Sequence, residues 1–396
     1  MLMAKWPPLV FTGLFVLGLT ACDTTPTLSL KTTPIPLDSR VLILAAPTAA
    51  KPVEVTQPIF VKAEHGRLAE VAVLGPAGPL AGQMSADGYT WVADATELAY
   101  DTTYRISAKA VDSRGVAKTV TDDFTTVSPE KFFTGSVSPL PDTAVGIGTP
   151  ITVTFDKSVS DRAAVERALV ITTPVPIEGA WAWLTDKVVE FRPRYYWPGD
   201  ITATVSLNLT GVQAKPGIYG VGDSQSVVKF GPAMVTRVNA QSHQATVYRN
   251  GVKLRVIPIT TGKAGFETRS GIKVILSKER TRTMDAATGG TDKKDPEYYR
   301  ILAEYAMRVT YSGEFLHAAP WSAGSQGEAN VSHGCIGMST EDAKWLYDQT
   351  ILGDLVEVVG TSVDQDLGNG LTIWNQSWDE WLAGSSAGAV MTKLRD

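Results

Sequence analysis

The feature that most limits how this chain can fold is a two-residue hydrophobic period that recurs along it. Tyr104, Ile106, Ala108 and Ala110 alternate with Arg105, Ser107 and Lys109. Ile151, Val153 and Phe155 alternate with Thr152, Thr154 and Asp156, and Ile201, Ala203, Val205, Leu207 and Leu209 with Thr202, Thr204, Ser206 and Asn208. Successive side chains on a strand point to opposite faces, so this spacing predicts half-buried strands. Turn chemistry separates them. Asp112-Ser113-Arg114-Gly115 follows the first run, and Asn250-Gly251 joins Ala245–Arg249 to Val252–Ile259 as a type I′ hairpin. Helix is expected only briefly, at Asp161 to Ala168 and at Ser339 to Asp348. In the second, Ser339 can cap the N-terminus with Asp342 three residues on, and Ala343, Leu346 and Tyr347 share a face. The fold class expected is mainly β: two small β-sandwich modules, then a β-rich domain with few helices and a C-terminal tail.

Two cysteines are too few for a disulfide framework, so stability must come from packed cores, which 44% hydrophobic residues allow. A formal charge of −5 without a polybasic run excludes a nucleic-acid footprint. Linkers and turns divide the chain into residues 1–21, a Thr/Pro-rich tether at 22–48, modules at 49–130 and 131–231, a third domain at 232–361 and a Trp-rich extension at 362–396. Trp181, Trp183, Tyr195, Tyr196 and Trp197 suit core packing better than sugar stacking. Trp374, Trp378 and Trp381 are expected to pack the tail back on its domain.

The N-terminus reads as a lipoprotein signal. Met1 and Lys5 bring positive charge, and Val10 to Ala21 is apolar but shorter than the roughly 20 residues a membrane span needs. Leu19-Thr20-Ala21-Cys22 then offers Cys22 for lipidation, which would tether the protein to the outer face of a bacterial cell membrane. An ordinary secretory signal or a short buried helix is the plainer alternative.

The other cysteine carries chemistry. There are four histidines, His65, His243, His317 and His333; His317 lies 18 residues before Cys335 (335 − 317), and His333 two before it. A thiol attacks as thiolate, has a reference pKa of about 8.5, and needs a base. In Ser332-His333-Gly334-Cys335 the glycine lets backbone N–H groups aim at a developing oxyanion. A structural cysteine between surface histidines is the bland alternative. A metal site is disfavoured, since no second Cys or His-x-x-x-His spacing accompanies these residues.

The run His317-Ala318-Ala319-Pro320-Trp321, a Gly/Ser/Gln-rich loop, then Ser332-His333-Gly334-Cys335-Ile336 closely resembles the signature of the L,D-transpeptidase (YkuD) family. Thr260-Thr261-Gly262-Lys263, Phe266-Glu267-Thr268 and Ser270-Gly271 look like that family's first strands, and Tyr311-Ser312-Gly313 also fits. Val137 to Tyr219 resembles the Ig-like module of its multidomain lipoproteins. The resemblance implies Ig-like folds for both modules, Cys335 as nucleophile and His317 as base, oriented by the carbonyl of Ala318. It implies that His333, Gly334 and Cys335 frame the oxyanion site and that Tyr299 and Met284 border the donor pocket. Met284 would sit in a mobile lid over roughly residues 278–299, and Trp321, Ser332 and Asn330 would shape the cleft.

The activity implied is formation of 3→3 cross-links between peptidoglycan stem peptides, with no metal or organic cofactor, and with β-lactams of the carbapenem class as inhibitors. L,D-carboxypeptidase action on water, or a non-catalytic peptidoglycan-binding scaffold, stay open. Members often carry Asn or Arg where this chain has Gly337, so Gly337→Asn is expected to lower KM more than it raises kcat. Lys278, Arg280 and Arg282 read as a solvated basic face, with stem carboxylates the alternative.

Overall fold

The structure is a computed structural model that describes residues 38–48, 51–140 and 143–395. Cys22 and most of the tether lie outside the described residues. The mainly β expectation is met: strands dominate, and the α-helices are Arg162–Ala168, Thr340–Gln349 and Trp378–Ala383. Asp161 and Ser339 cap the first two, each side chain accepting a backbone N–H three residues on.

The first unit pairs two four-stranded sheets around a core that includes Val55, Val61, Val73, Ile106 and Phe124. In the strand Thr103–Asp112, Tyr104, Ile106, Ala108 and Ala110 are all buried, as the alternation required. One edge strand, Leu42–Ala46, arises within the stretch read as tether. Its isoleucine is buried, and Val41 just before it also enters the core, so the apolar Val-Leu-Ile-Leu run outweighs the preceding Thr/Pro composition.

The second unit holds a five-stranded and a four-stranded sheet about Phe133, Phe155, Phe191, Trp197 and Leu207. Trp181, Trp183 and Trp197 are core; Tyr195 is 77% exposed. The tail belongs largely here rather than to the third unit alone. Val390–Met391 and Lys393–Leu394 add edge strands to the two sheets, and Trp381 is buried with its Nε1 donating to Ala180 O at 3.0 Å. Arg192 lies over Trp374, Trp378 and Trp381, a cation–π stack that bolts the tail down. The carboxylate of Glu166 accepts from Trp183 Nε1, Ser385 Oγ and the Ser386 and Ala387 N–H groups.

The third unit contains the sheet formed by Val252–Pro258, Gln244–Arg249, Met234–Asn239, Leu355–Val359 and Gly271–Val274. A second sheet runs Ser277–Asp285, Arg300–Arg308, Phe315–Ala318 and Ile336–Met338. Asn250 and Gly251 both have positive φ at the hairpin tip, which a type I′ turn demands. Residues 260–270 are tied in by isolated bridges, Thr260 to Gly337 and Gly262 to Ser332, rather than by regular strands. The second and third units touch backbone to backbone. Gly146 N donates to Leu352 O at 2.7 Å, and a Cβ on Gly146 would lie 2.1 Å from Asp354 N.

Candidate active site

The sheet register brings the two distant motif halves together. Phe315–Ala318 runs parallel to Ile336–Met338 with His317 opposite Gly337. Alternation along each strand puts His317, Gly337 and Cys335 on one face. They line a cleft of about 270 Å³ with Trp321, Tyr299, Met284 and Ser332.

His317 is 4% exposed, and its Nδ1 lies 2.7 Å from Ala318 O. A carbonyl can only accept, so Nδ1 carries the proton and Nε2 is left as the basic nitrogen. Trp321, 55% exposed, stacks on the imidazole with ring centroids 5.8 Å apart. Burial lowers the imidazole's proton affinity, and the Ala318 contact opposes that.

Cys335 is 7% exposed, with Sγ 3.7 Å from Gly313 O. Burial pushes its thiol up to about 11. A hydrogen bond from the Phe315 backbone works against this, Glu314 adds to the rise and Lys273 opposes it. Near neutral pH both partners are therefore uncharged, a thiol beside an imidazole. A nucleophilic step here needs the proton to pass to His317 as the new bond forms, rather than a standing thiolate.

Gly334 has φ +110°, a region L side chains avoid, and this sets the turn into Cys335. Its N–H donates to Ser332 Oγ at 3.1 Å, Ser332 Oγ donates to Cys335 O at 2.6 Å, and Thr268 Oγ1 donates to Gly334 O at 2.8 Å. In the empty site the Gly334 N–H is thus turned to Ser332 Oγ, and the glycine's positive φ sets the turn that presents Cys335. His333 packs between Phe266 and Tyr299, with centroids 4.7 and 4.8 Å away, and its Nε2 lies 2.7 Å from Glu297 Oε2. Lys263 donates to the same oxygen at 2.6 Å. Burial pushes the Tyr299 phenol up to about 12.

Three expectations need correction, and one gains a definite shape. Asn330 does not shape the cleft: its Oδ1 meets His243 Nδ1 at 2.9 Å and Thr261 N at 3.1 Å, and its Nδ2 donates to Ala240 O, pinning the loop from behind. The segment read as a lid is a long hairpin: Ser277–Asp285 pairs with Arg300–Arg308, Met284 faces Ile301 in that ladder, and residues 286–299 connect the strands. Lys278 leaves the solvated basic face: it donates to the Tyr347 and Thr350 carbonyls at a helix end, whereas Arg280 and Arg282 keep exposed side chains paired with Glu304 and Glu279. Finally, Gly337 has no room for the larger residue: a Cβ there would lie 2.9 Å from Ala319 Cβ and 3.1 Å from Thr260 Cγ2. The glycine leaves space beside His317.

The sequence reading missed Glu297, Glu314 and Lys273. None stands in the His-to-Cys motif, and a lone acid or lysine gives no local signal of its partner.

A model described as the L,D-transpeptidase catalytic domain matches residues 234–358, and one described as a bacterial Ig domain matches 50–213. L,D-transpeptidase 2 of Mycobacterium tuberculosis (strain CDC 1551 / Oshkosh) is 36% identical over 336 residues, 84% of this chain and 82% of that protein. L,D-transpeptidase 5 of M. tuberculosis (strain ATCC 25618 / H37Rv) is 37% identical over 339 residues, covering 83% and 73%. A solved structure of an L,D-transpeptidase in complex with imipenem is similar at 40% identity over 57% of this chain and 97% of that one, with a TM-score of 0.49.

Proposed function

The chain belongs to the L,D-transpeptidase family, and we propose that it makes 3→3 peptidoglycan cross-links through a thioester on Cys335. The observation that carries this is the placement of a tautomerically fixed His317 on one parallel strand and of Cys335 immediately before its neighbour, both lining one cleft. Cys335 Sγ attacks the carbonyl of the third residue of a tetrapeptide stem while its proton passes to His317 Nε2. The tetrahedral intermediate collapses, His317 returns the proton to the departing amine, and D-alanine leaves. The side-chain amine of a second stem then attacks the thioester, giving its proton to His317, and Cys335 is released as thiol once that proton returns. The apolar side chains of Trp321, Met284 and Tyr299 line the cleft around Cys335, which supports an amine acceptor over water.

A strained carbapenem offers Cys335 a comparable carbonyl, and ring opening would leave an adduct of the drug's full mass. The short apolar run and Leu19-Thr20-Ala21-Cys22 support anchoring through a lipid on Cys22. In that case Cys22→Ser moves the protein out of the membrane fraction with its soluble activity intact, whereas an unmodified Cys22 thiol in the mature protein rules anchoring out.

The deciding test is mass analysis of muropeptides after incubation with the purified protein. Tripeptide-linked dimers are expected. Free tripeptides alone would make it a carboxypeptidase, and unchanged stems a binding scaffold. No product should form with Cys335→Ala.

A further inference from the structure

Behind the nucleophile lies a charge cluster that the reaction above does not use. Lys273, on the strand Gly271–Val274, has a side chain with no exposed surface, yet its Nζ donates to Glu314 Oε2. Glu314 is itself buried, and its Oε1 accepts from Arg269 N at 3.0 Å and Arg269 Nη1 at 3.4 Å. Arg269 continues outward to Asp366 at 3.1 Å.

Burying such ions is costly, and a structural pair could be replaced by apolar packing at little loss. Its position suggests why it is kept. Glu314 follows Gly313, whose carbonyl faces Cys335 Sγ at 3.7 Å. On the other side, Glu314 Oε1 lies 4.0 Å, and Cγ 3.9 Å, from where a Cβ on Gly334 would stand, one residue before Cys335. The thiol therefore meets a carbonyl acceptor, and a buried carboxylate stands against the turn that presents it; both favour S–H over S⁻. Lys273 stands across the carboxylate and offsets its field. The other titratable groups at the thiol are His317 and His333, with Tyr299 in the wall.

We propose that Glu314 is a positioning residue that holds Cys335 as the protonated thiol in the empty site, and that Lys273, as its buried counter-ion, limits that hold. The inference rests on Cys335 being the nucleophile, for which a resting thiol is guarded against adventitious alkylation and oxidation until substrate and His317 act together. Arg269 still pairs with Glu314 when Lys273 is removed, so the two single variants have opposite effects. A structural ion pair would instead fail in the same direction from either side.

The test is the rate of iodoacetamide alkylation of Cys335 against pH in the full chain, read by mass on the Cys335 peptide, which also separates it from Cys22. The thiolate displaces iodide, so the rate follows the thiolate fraction, and an inflection moved by about one pH unit changes the rate at pH 7 about tenfold. Glu314→Gln should move the inflection down and speed alkylation at pH 7 about tenfold. Lys273→Met should move it up and slow alkylation by a similar factor, and Lys273→Arg should restore the original profile. If a single variant does not fold, Lys273→Met/Glu314→Gln leaves neither charge unpaired. Its alkylation should still be faster than wild type, because the carboxylate lies against the turn into Cys335 and the ammonium is bound to its other oxygen. Equal slowing in both single variants, or an unmoved inflection in folded variants, overturns the proposal. Because alkylation is read on Cys335 directly, this outcome is separate from whether cross-links form.

Discussion

Glu297 Oε2 lies 2.7 Å from His333 Nε2, tying the loop over the cleft to the turn that presents Cys335. The same oxygen takes Lys263 Nζ, and donation from Lys263 and His333 holds the Glu297 carboxyl below the usual range. A half-exposed contact of this kind steadies a loop more than it stabilises a fold.

Glu297→Gln should therefore act on binding. The expected result is a KM for the donor stem raised roughly threefold to tenfold with kcat within about twofold, the pattern of a lost ground-state contact. Steady-state kinetics checks it. An unchanged KM would mean the loop is held without this latch.

His317→Ala should slow acylation of Cys335 by roughly 10²–10⁴-fold, the usual worth of a positioned base. Without the base, the remaining rate should climb with pH toward an inflection near 11, where burial places the thiol, and not near the value of a free cysteine. His333→Ala should be milder, since its ring faces Glu297 and two aromatic rings. Stopped-flow acylation by a carbapenem gives all three profiles.

Gly337→Asn should lower activity, reversing the expectation drawn from motif comparison. Its Cβ would press on Ala319 and Thr260, and overpacking of this sort costs about 1–3 kcal/mol. The displaced strand carries the register that sets His317 opposite Gly337, two residues past Cys335, so kcat should fall with KM little improved. Kinetics and a thermal melt of the same variant separate the two effects.

Asp354 should make stability depend on pH. Burial pushes its carboxyl up to about 7, with the Ile351 N–H, Lys278 and Arg249 opposing, and its Oδ1 has no hydrogen-bond partner among the described residues. Its folded-state value thus exceeds the ordinary one near 3.8, so the folded chain binds the proton more tightly. That contribution is complete below about pH 4 and is lost as pH rises through about 7. Melting temperatures of wild type minus Asp354→Asn should fall between about pH 5 and about pH 8. A constant difference would show that Asp354 does not titrate in that window.

Trp381→Ala should destabilise the second unit by about 3–5 kcal/mol, the range for a buried large aromatic. The residue sits in that unit's core although it lies 201 positions beyond its partner Ala180. Denaturant unfolding measures the loss. A change under about 1 kcal/mol would mean that the tail docks without Trp381.

The sequence by itself determined what is local. The two-residue period fixed the buried faces of Thr103–Asp112 and Ile151–Phe155 because pleating alone decides them. Asn250-Gly251 determined its hairpin through the positive φ both residues tolerate. The pairing of a lone thiol with histidine chemistry was legible from residue types at short spacing. Tertiary structure decided whatever depends on strand register and on which surfaces meet. It placed Lys273 on Glu314 across 41 positions, Glu297 on His333 across 36, and the tail's tryptophans on the second unit. It closed the space at Gly337 and turned the Gly334 N–H to Ser332 Oγ. A lone charge, a glycine or a tryptophan has many possible partners along a chain, and only the packed register selects one.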